Sequence, residues 1–110
     1  MAKKTIIEFK GFLSFLILHE LNKKNLSGDE LATLIGIRKG SRLTPGTIYP
    51  TLKRLKKLKL LIMKRDGRKK YYKLTKLGQY ELKKLYGAFS NYFYGFKKHI
   101  KKRNINKKHK

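Results

Sequence analysis

The amino-acid sequence predicts a mainly α-helical chain with one small β-hairpin and a long helix near its C-terminal end. Three observations carry that prediction. A helix-start signal at Thr44-Pro45 leads into Ile48, Leu52 and Leu55, spaced i, i+4, i+7 as on one face of a helix. A short apolar run, Leu60 to Met63, then reaches Asp66-Gly67 and a second segment rich in Arg, Lys and Tyr, which is a hairpin pattern. Beyond Thr75, Leu82, Leu85, Phe89, Tyr92 and Phe96 recur at steps of 3, 4, 3 and 4 residues, the seam of a helix that pairs with another. Helix, strand, basic hairpin tip and strand is the layout of a winged helix-turn-helix. The expected organisation is a winged unit over residues 1–75, a dimerisation helix over 76–100 and a basic tail over 101–110.

Composition narrows the function. The chain has 110 residues, 30 Lys and Arg against six Asp and Glu, and a formal net charge of +24. Such a field favours a polyanionic partner. The abundance of Lys, Ile and Asn throughout discounts the total, so the placement of charge carries more weight than its sum. There is no Cys, which removes disulfides and thiolate metal sites. The three His and six carboxylates show no metal spacing and no acid–base pair, and no glycine loop is built to cradle phosphate. No cofactor, metal or catalytic residue is expected, and the chain is not expected to be an enzyme. The most apolar stretch, Phe12 to Leu18, falls short of the roughly 18 residues that a membrane span needs. No small-residue cleavage site follows it. A cytoplasmic, nucleoid-associated location without membrane attachment is the expectation.

The first helix is expected from Thr5, with Thr5 and Glu8 at capping-box spacing, to about Leu21. Its apolar residues, Phe12 and Phe15 among them, cover most of the circumference. One face should therefore meet the core and another a second subunit. His19, alone at the polar end, reads as a surface or capping residue. Asn22 to Leu26 reads as a connection. Ser27-Gly28-Asp29-Glu30 is a second capping box, Leu31, Leu34 and Ile35 form a stripe, and Gly36 is expected to end this second helix. Arg38 to Arg42 is a basic loop, either touching phosphate or merely solvated.

The third helix takes Thr44 as its cap and Pro45 at its first position, where the missing N–H costs nothing. In helix-turn-helix docking the N-terminal part of this helix meets base edges. The hydroxyls of Thr44, Thr47, Tyr49 and Thr51 lie there, with Lys53 and Arg54 a turn later. Arg54 is the best candidate for direct base reading, since bidentate Arg–guanine pairing is the strongest specific contact available. Pro50 removes a helical hydrogen bond and suggests a bent first turn. In the wing, Asp66-Gly67 is expected to form a two-residue turn with positive φ at both positions between strands 60–65 and 68–74. Lys64, Arg65, Arg68, Lys69 and Lys70 crowd its tip and suit phosphate or minor-groove contact. A solvated helix face and a lysine-guarded edge strand are the plainer readings of these charges.

On the last helix, capped by Thr75 and running to about His99, the candidate dimer residues are Leu82, Leu85, Phe89, Tyr92, Phe93 and Phe96, set against Phe12 and Phe15 of the partner's first helix. Packing on its own domain is the alternative.

The run Thr44-Pro45-Gly46-Thr47-Ile48-Tyr49-Pro50, then Leu52 to Leu55, then Arg68 to Thr75 and Gly78, resembles the PadR family of transcriptional regulators. Lys10 to Leu13, Ile17-Leu18, Leu21 and Gly28 through Leu31 extend the likeness over roughly residues 10–78. The resemblance implies a winged-helix DNA-binding domain and a homodimer joined by a C-terminal helix. It also implies repression of a nearby promoter and, in many members, release from DNA by a small-molecule effector. It implies DNA contact by Thr47, Tyr49 and the basic wing. The family usually has Gly where this chain has Lys59, and often Gly-Tyr where it has Gly28-Asp29. A left-handed residue at that position would cost Lys about 1 kcal/mol relative to Gly, so a different geometry at the exit of the third helix is an expectation.

The expected function is sequence-specific double-stranded DNA binding by a homodimeric regulator. The competing expectation is an architectural, chromatin-like protein that coats nucleic acid with little sequence preference.

Overall fold

Helix α1 (Phe9–Lys23) is apolar on most sides and sits at the centre, packed against α2 (Gly28–Lys39), α3 (Pro45–Lys57), strand β2 (Lys69–Leu74) and α4 (Lys76–Phe96). Strand β1 (Leu61–Asp66) pairs with β2, and a 3-10 turn, Lys97–His99, follows α4. This computed structural model describes residues 9–39 and 43–100. The expected cap at Thr5 and Glu8, the loop residues 40–42 and the tail 101–110 lie outside the described residues.

The core follows the apolar spacing. Leu13, Ile17, Leu18 and Leu21 of α1 meet Leu31 and Ile35 of α2, Ile48, Leu52 and Leu55 of α3, and Leu61, Tyr72 and Leu74 of the hairpin. Burying each large side chain contributes about 1.5–3 kcal/mol, and this cluster holds the four elements together. Leu34 leaves the expected α2 stripe and is exposed. Leu82, expected in a dimer seam, is buried in this protomer's own core. It lies on the first turns of α4, which still rest on the winged unit.

The α2 capping box forms as its spacing dictates. The Ser27 N–H donates to Glu30 Oε1 at 2.8 Å and the Glu30 N–H donates to Ser27 Oγ at 3.1 Å. Gly36 does not end α2, which continues to Lys39 with Gly36 buried inside it. A glycine inside a helix is tolerated at a cost of about 1 kcal/mol relative to Ala and need not end it.

The hairpin turn is displaced by one residue from the expected position. Asp66 pairs with Lys69 as the last ladder pair, so Gly67 and Arg68 form the turn. Only Gly67 has positive φ, +65°, and Arg68 does not. Gly at the first central position with a normal residue after it fits a II′ turn and not the I′ turn expected for Asp-Gly. The segment before α2 is also more than a connection. Leu26 bridges Tyr72 through both backbone groups, with N···O distances of 3.3 and 2.7 Å, adding a third edge to the hairpin.

The exit of α3 is a Schellman motif. The Lys59 N–H donates to the Lys56 carbonyl and the Leu60 N–H to the Leu55 carbonyl, at 2.9 and 3.0 Å. Lys59 occupies the left-handed position, φ +66°, where glycine is the usual residue. The next carbonyls anchor α4. Thr75 Oγ1 donates to the Lys59 carbonyl at 2.8 Å, and the Thr75 N–H donates to the Leu60 carbonyl at 3.1 Å. The same Thr75 hydroxyl accepts from the Gly78 N–H at 2.9 Å, capping α4. Gly78 is held against Leu60 so closely that a Cβ there would collide with the Leu60 carbonyl oxygen.

Helix α4 packs on its own α1 through Phe15, whose ring lies 5.7 Å from Tyr86 and 5.9 Å from Phe89. His19 is not a surface or capping residue. Its ring meets Tyr86 edge-on and its Nδ1 is hydrogen-bonded to the Tyr86 hydroxyl. Burial, and then the charge of Glu20, pushes the Tyr86 phenol up from its ordinary value.

Candidate nucleic-acid interface

Helix α3 is amphipathic by position. Ile48, Leu52 and Leu55 fix the inward face, so Gly46, Pro50, Lys53 and Lys57 fall opposite, with Tyr49 and Arg54 on the two flanks. At its start, Thr44 Oγ1 does not cap a backbone N–H but lies 3.2 Å from Thr47 Oγ1, and the Thr44 carbonyl accepts from the Thr47 and Ile48 N–H groups. Both hydroxyls are exposed, as are Lys53, Lys56 and Lys57.

Thr51 is the exception among the candidate contacts. It is 3 % exposed, and its hydroxyl donates to the Thr47 carbonyl at 3.4 Å. It therefore faces the core and not a ligand. Thr51 lies three residues after Ile48 and four before Leu55, which places it on the inward face. The signal was present in the same spacing that defined the core.

The two flanks of α3 are tied to different helices. On one side Arg54 donates from Nη2 to Ser14 Oγ of α1 at 2.9 Å, so the guanidinium is exposed but engaged. On the other, the Tyr49 ring lies over the N-terminus of α2, and its hydroxyl donates to Asp29 Oδ1 at 3.4 Å. Partial burial, followed by the Asp29 charge, pushes the Tyr49 phenol up.

The wing carries its cations in the open. Lys64, Arg65, Arg68, Lys69 and Lys70 are all exposed. Arg65 stands directly opposite Lys70 in the ladder. Like charges facing each other across strands are destabilising, and an anion beside them relieves the repulsion. Lys69 behaves differently. Its Nζ reaches Glu30 Oε2 at 3.8 Å and lies 5.4 Å from the Tyr71 ring centroid. The Ser27 N–H, with Lys69 and Lys24 assisting, holds the Glu30 carboxyl below its ordinary value against the opposing effect of burial.

Tyr49 of α3 and Lys69 of the wing thus converge on two neighbouring residues, Asp29 and Glu30. The α2 N-terminus sets helix and wing side by side. Sequence reasoning missed this junction, since Tyr49–Asp29 and Lys69–Glu30 span different elements and leave no periodic trace. Among the described residues no group of His, Asp and Glu is placed to hold a metal ion, and no helix is long and apolar enough to cross a membrane.

Comparison with known proteins agrees with this geometry. The model of the PadR-like transcriptional regulator family matches residues 17–84, more than half of the chain. The chain belongs to the PadR-like family. It is a transcriptional regulator, a family role that implies DNA binding and not catalysis. A PadR-like regulator of Bacillus cereus is similar at 26% identity with a TM-score of 0.72, covering 86% of this chain and 97% of that one. A PadR family regulator of Clostridium difficile is similar at 27% identity and TM-score 0.69, covering 81% and 98%. A transcriptional regulator of Clostridium thermocellum shares the fold at 20% identity, with TM-score 0.72 over 84% and 97%. No curated protein matches the chain significantly. Gly28-Asp29 and the left-handed Lys59 both lie within the residues that the family model matches.

Proposed function

We propose that this PadR-like chain binds double-stranded DNA site-specifically as a homodimer and represses transcription at a promoter on the nucleoid. The observation that carries the reading is the convergence of α3 and the wing on Asp29 and Glu30. It joins the Tyr49 side of α3, whose hydroxyls at Thr44 and Thr47 are exposed, to a wing that carries exposed Lys64, Arg65, Arg68, Lys69 and Lys70, while Lys53 and Arg54 add exposed cations on the other faces of α3. The helix would read base edges in the major groove while the wing holds phosphate. Counterion release would supply most of the affinity.

Dimerisation is supported by the far half of α4. Leu85, Phe89, Tyr92 and Phe96 are exposed in the single chain, as is Phe12 of α1, and Phe93 is half-buried. An apolar surface of this kind is what a two-fold seam covers. Because α4 already rests on its own α1 through Phe15, the partner would cover the α1–α4 ridge from outside. Release by a small-molecule effector belongs to the reading through the family resemblance.

Selection of bound sequences from random duplex DNA at about 150 mM salt tests the proposal. A two-fold-symmetric winner with half-sites about 34 Å apart, bound roughly a thousandfold more tightly than random duplex, is the expected result. Binding that falls equally for all sequences as salt rises would instead make the protein an architectural coat for nucleic acid. The large excess of cations keeps that second reading in play.

A further inference from the structure

Asp29 stands where a carboxylate is a liability. The chain has only six carboxylates, and this one is exposed on the flank of the reading helix. An anionic partner would be repelled there. It nevertheless accepts the Tyr49 hydroxyl at 3.4 Å, and the far end of the Tyr49 ring crowds Gly28, the residue before it. A Cβ at Gly28 would sit 2.5 Å from the Tyr49 hydroxyl oxygen and 2.6 Å from its Cε1 and Cζ, so Gly28 is the only residue type that leaves room for the ring. Beside the ring is a groove of about 200 Å³ walled by Asp29, Thr33, Pro45 and Ile48. A ring without its tether has space to move into that groove.

Resting on the DNA-reading role proposed above, we infer that Asp29 is a positioning residue. It fixes the Tyr49 ring for contact with base edges, and so sets how sharply the regulator separates its own site from other DNA. A side chain ordered before binding costs less to order on binding. A misplaced tyrosine affects only complexes in which it meets a particular base, so the selected site gains from the tether and random duplex does not. The negative charge of Asp29, by contrast, weakens every complex alike.

These opposite signs give the test. Affinities for the selected duplex and for random duplex are measured at fixed salt for the full-length protein and for Asp29→Ala, Asp29→Asn and Gly28→Ala. Asp29→Ala should leave random-duplex affinity equal or higher while the specificity ratio falls about three- to tenfold, the worth of one ordered side chain or one long, exposed hydrogen bond. Gly28→Ala leaves the charge in place but pushes the ring away, and should lower the ratio by a similar factor. Asp29→Asn keeps an acceptor for the phenol and should retain the wild-type ratio within about twofold. If Asp29→Ala raises both affinities equally, Asp29 is plain surface charge and the inference fails. It also fails if Gly28→Ala leaves the ratio untouched. If both affinities fall together with the melting midpoint, Asp29 is a helix-capping residue only. A wild-type protein with no preferred sequence would remove the site-specific reading itself, whereas a preferred sequence with an unmoved ratio removes only the role of Asp29.

Discussion

The winged unit and the far half of α4 use similar amino acids to opposite ends. From Leu13 to Leu82 the large aliphatic side chains mostly point inward, and Leu82 is the last buried residue of the chain's described part. From Leu85 to Phe96 there is no charged residue in a chain that is otherwise lysine-rich, yet Leu85, Phe89, Tyr92, Tyr94 and Phe96 are exposed. The first region has the composition of an interior and is one. The second has the composition of an interior and the exposure of a surface. Where a sequence so rich in lysine withholds charge from three turns of helix, the exposed stretch has the character of a surface that another protein would cover, which is what the proposed dimer rests on.

Four measurements can break or sharpen that contrast. The largest expected effect is on association. Phe89→Asp removes an aromatic ring from both sides of a two-fold seam, a loss of at least about 3 kcal/mol and roughly a hundredfold in dimer affinity. Sedimentation should then show monomers, and an undiminished dimer would place the interface elsewhere. Next is the boundary between the regions. Leu82→Ala should lower unfolding stability by about 2–5 kcal/mol in chemical denaturation. Tyr92→Ala, measured under monomeric conditions, should stay within about 0.5 kcal/mol. Equal effects would erase the distinction drawn at Leu82. Smaller again is Lys59→Gly, which relieves a left-handed lysine and should stabilise the winged unit by about 1 kcal/mol. A destabilised variant would mean that the lysine side chain does more there than the backbone loses. The smallest concerns pH. Glu30 has a folded pKa held below the ordinary 4.5 by the Ser27 N–H. Its contribution is complete above that ordinary value and is lost as pH falls through the lower folded one. Glu30→Gln should therefore lower the neutral plateau of a stability-versus-pH curve slightly and flatten its acid limb, so that the two curves converge at low pH.

The parts of the fold legible in the sequence were those decided within one or two helical turns. The Ser27–Glu30 box, Pro45 at the start of α3, Thr75 at the start of α4 and the Ile48–Leu52–Leu55 stripe all formed as their spacing required. Errors arose where a local signal had two outcomes. Asp-Gly permits turns that differ by one residue in register, and the ladder from Leu61↔Leu74 to Asp66↔Lys69 selected the other one. Gly36 suits a helix end or a buried place inside a helix, and α2 took the second. Leu82 fits the heptad seam and the core equally well in sequence, and only the seating of α4 on Leu60 through Gly78 decides between them. Contacts such as His19–Tyr86, 67 residues apart, carry no local signature at all. Of the proposed interface, the exposed cations were legible from composition. The junction at Asp29 and Glu30 was not, because it joins three elements that are separate in the chain.

The joint between Lys59, Leu60, Thr75 and Gly78 has one more consequence. It clamps the end of α3 to the root of α4, the arm on which the proposed dimer rests, with backbone pressed on backbone. The arm, 21 residues long, extends roughly 30 Å. A tilt of about 6° at its root moves the far end by about 3 Å, close to the roughly 3.4 Å rise of a single base pair. The joint is the fulcrum of a lever. In the two-fold pair proposed above, the spacing at which two α3 helices could seat would be calibrated by the angle set at one left-handed lysine and one crowded glycine.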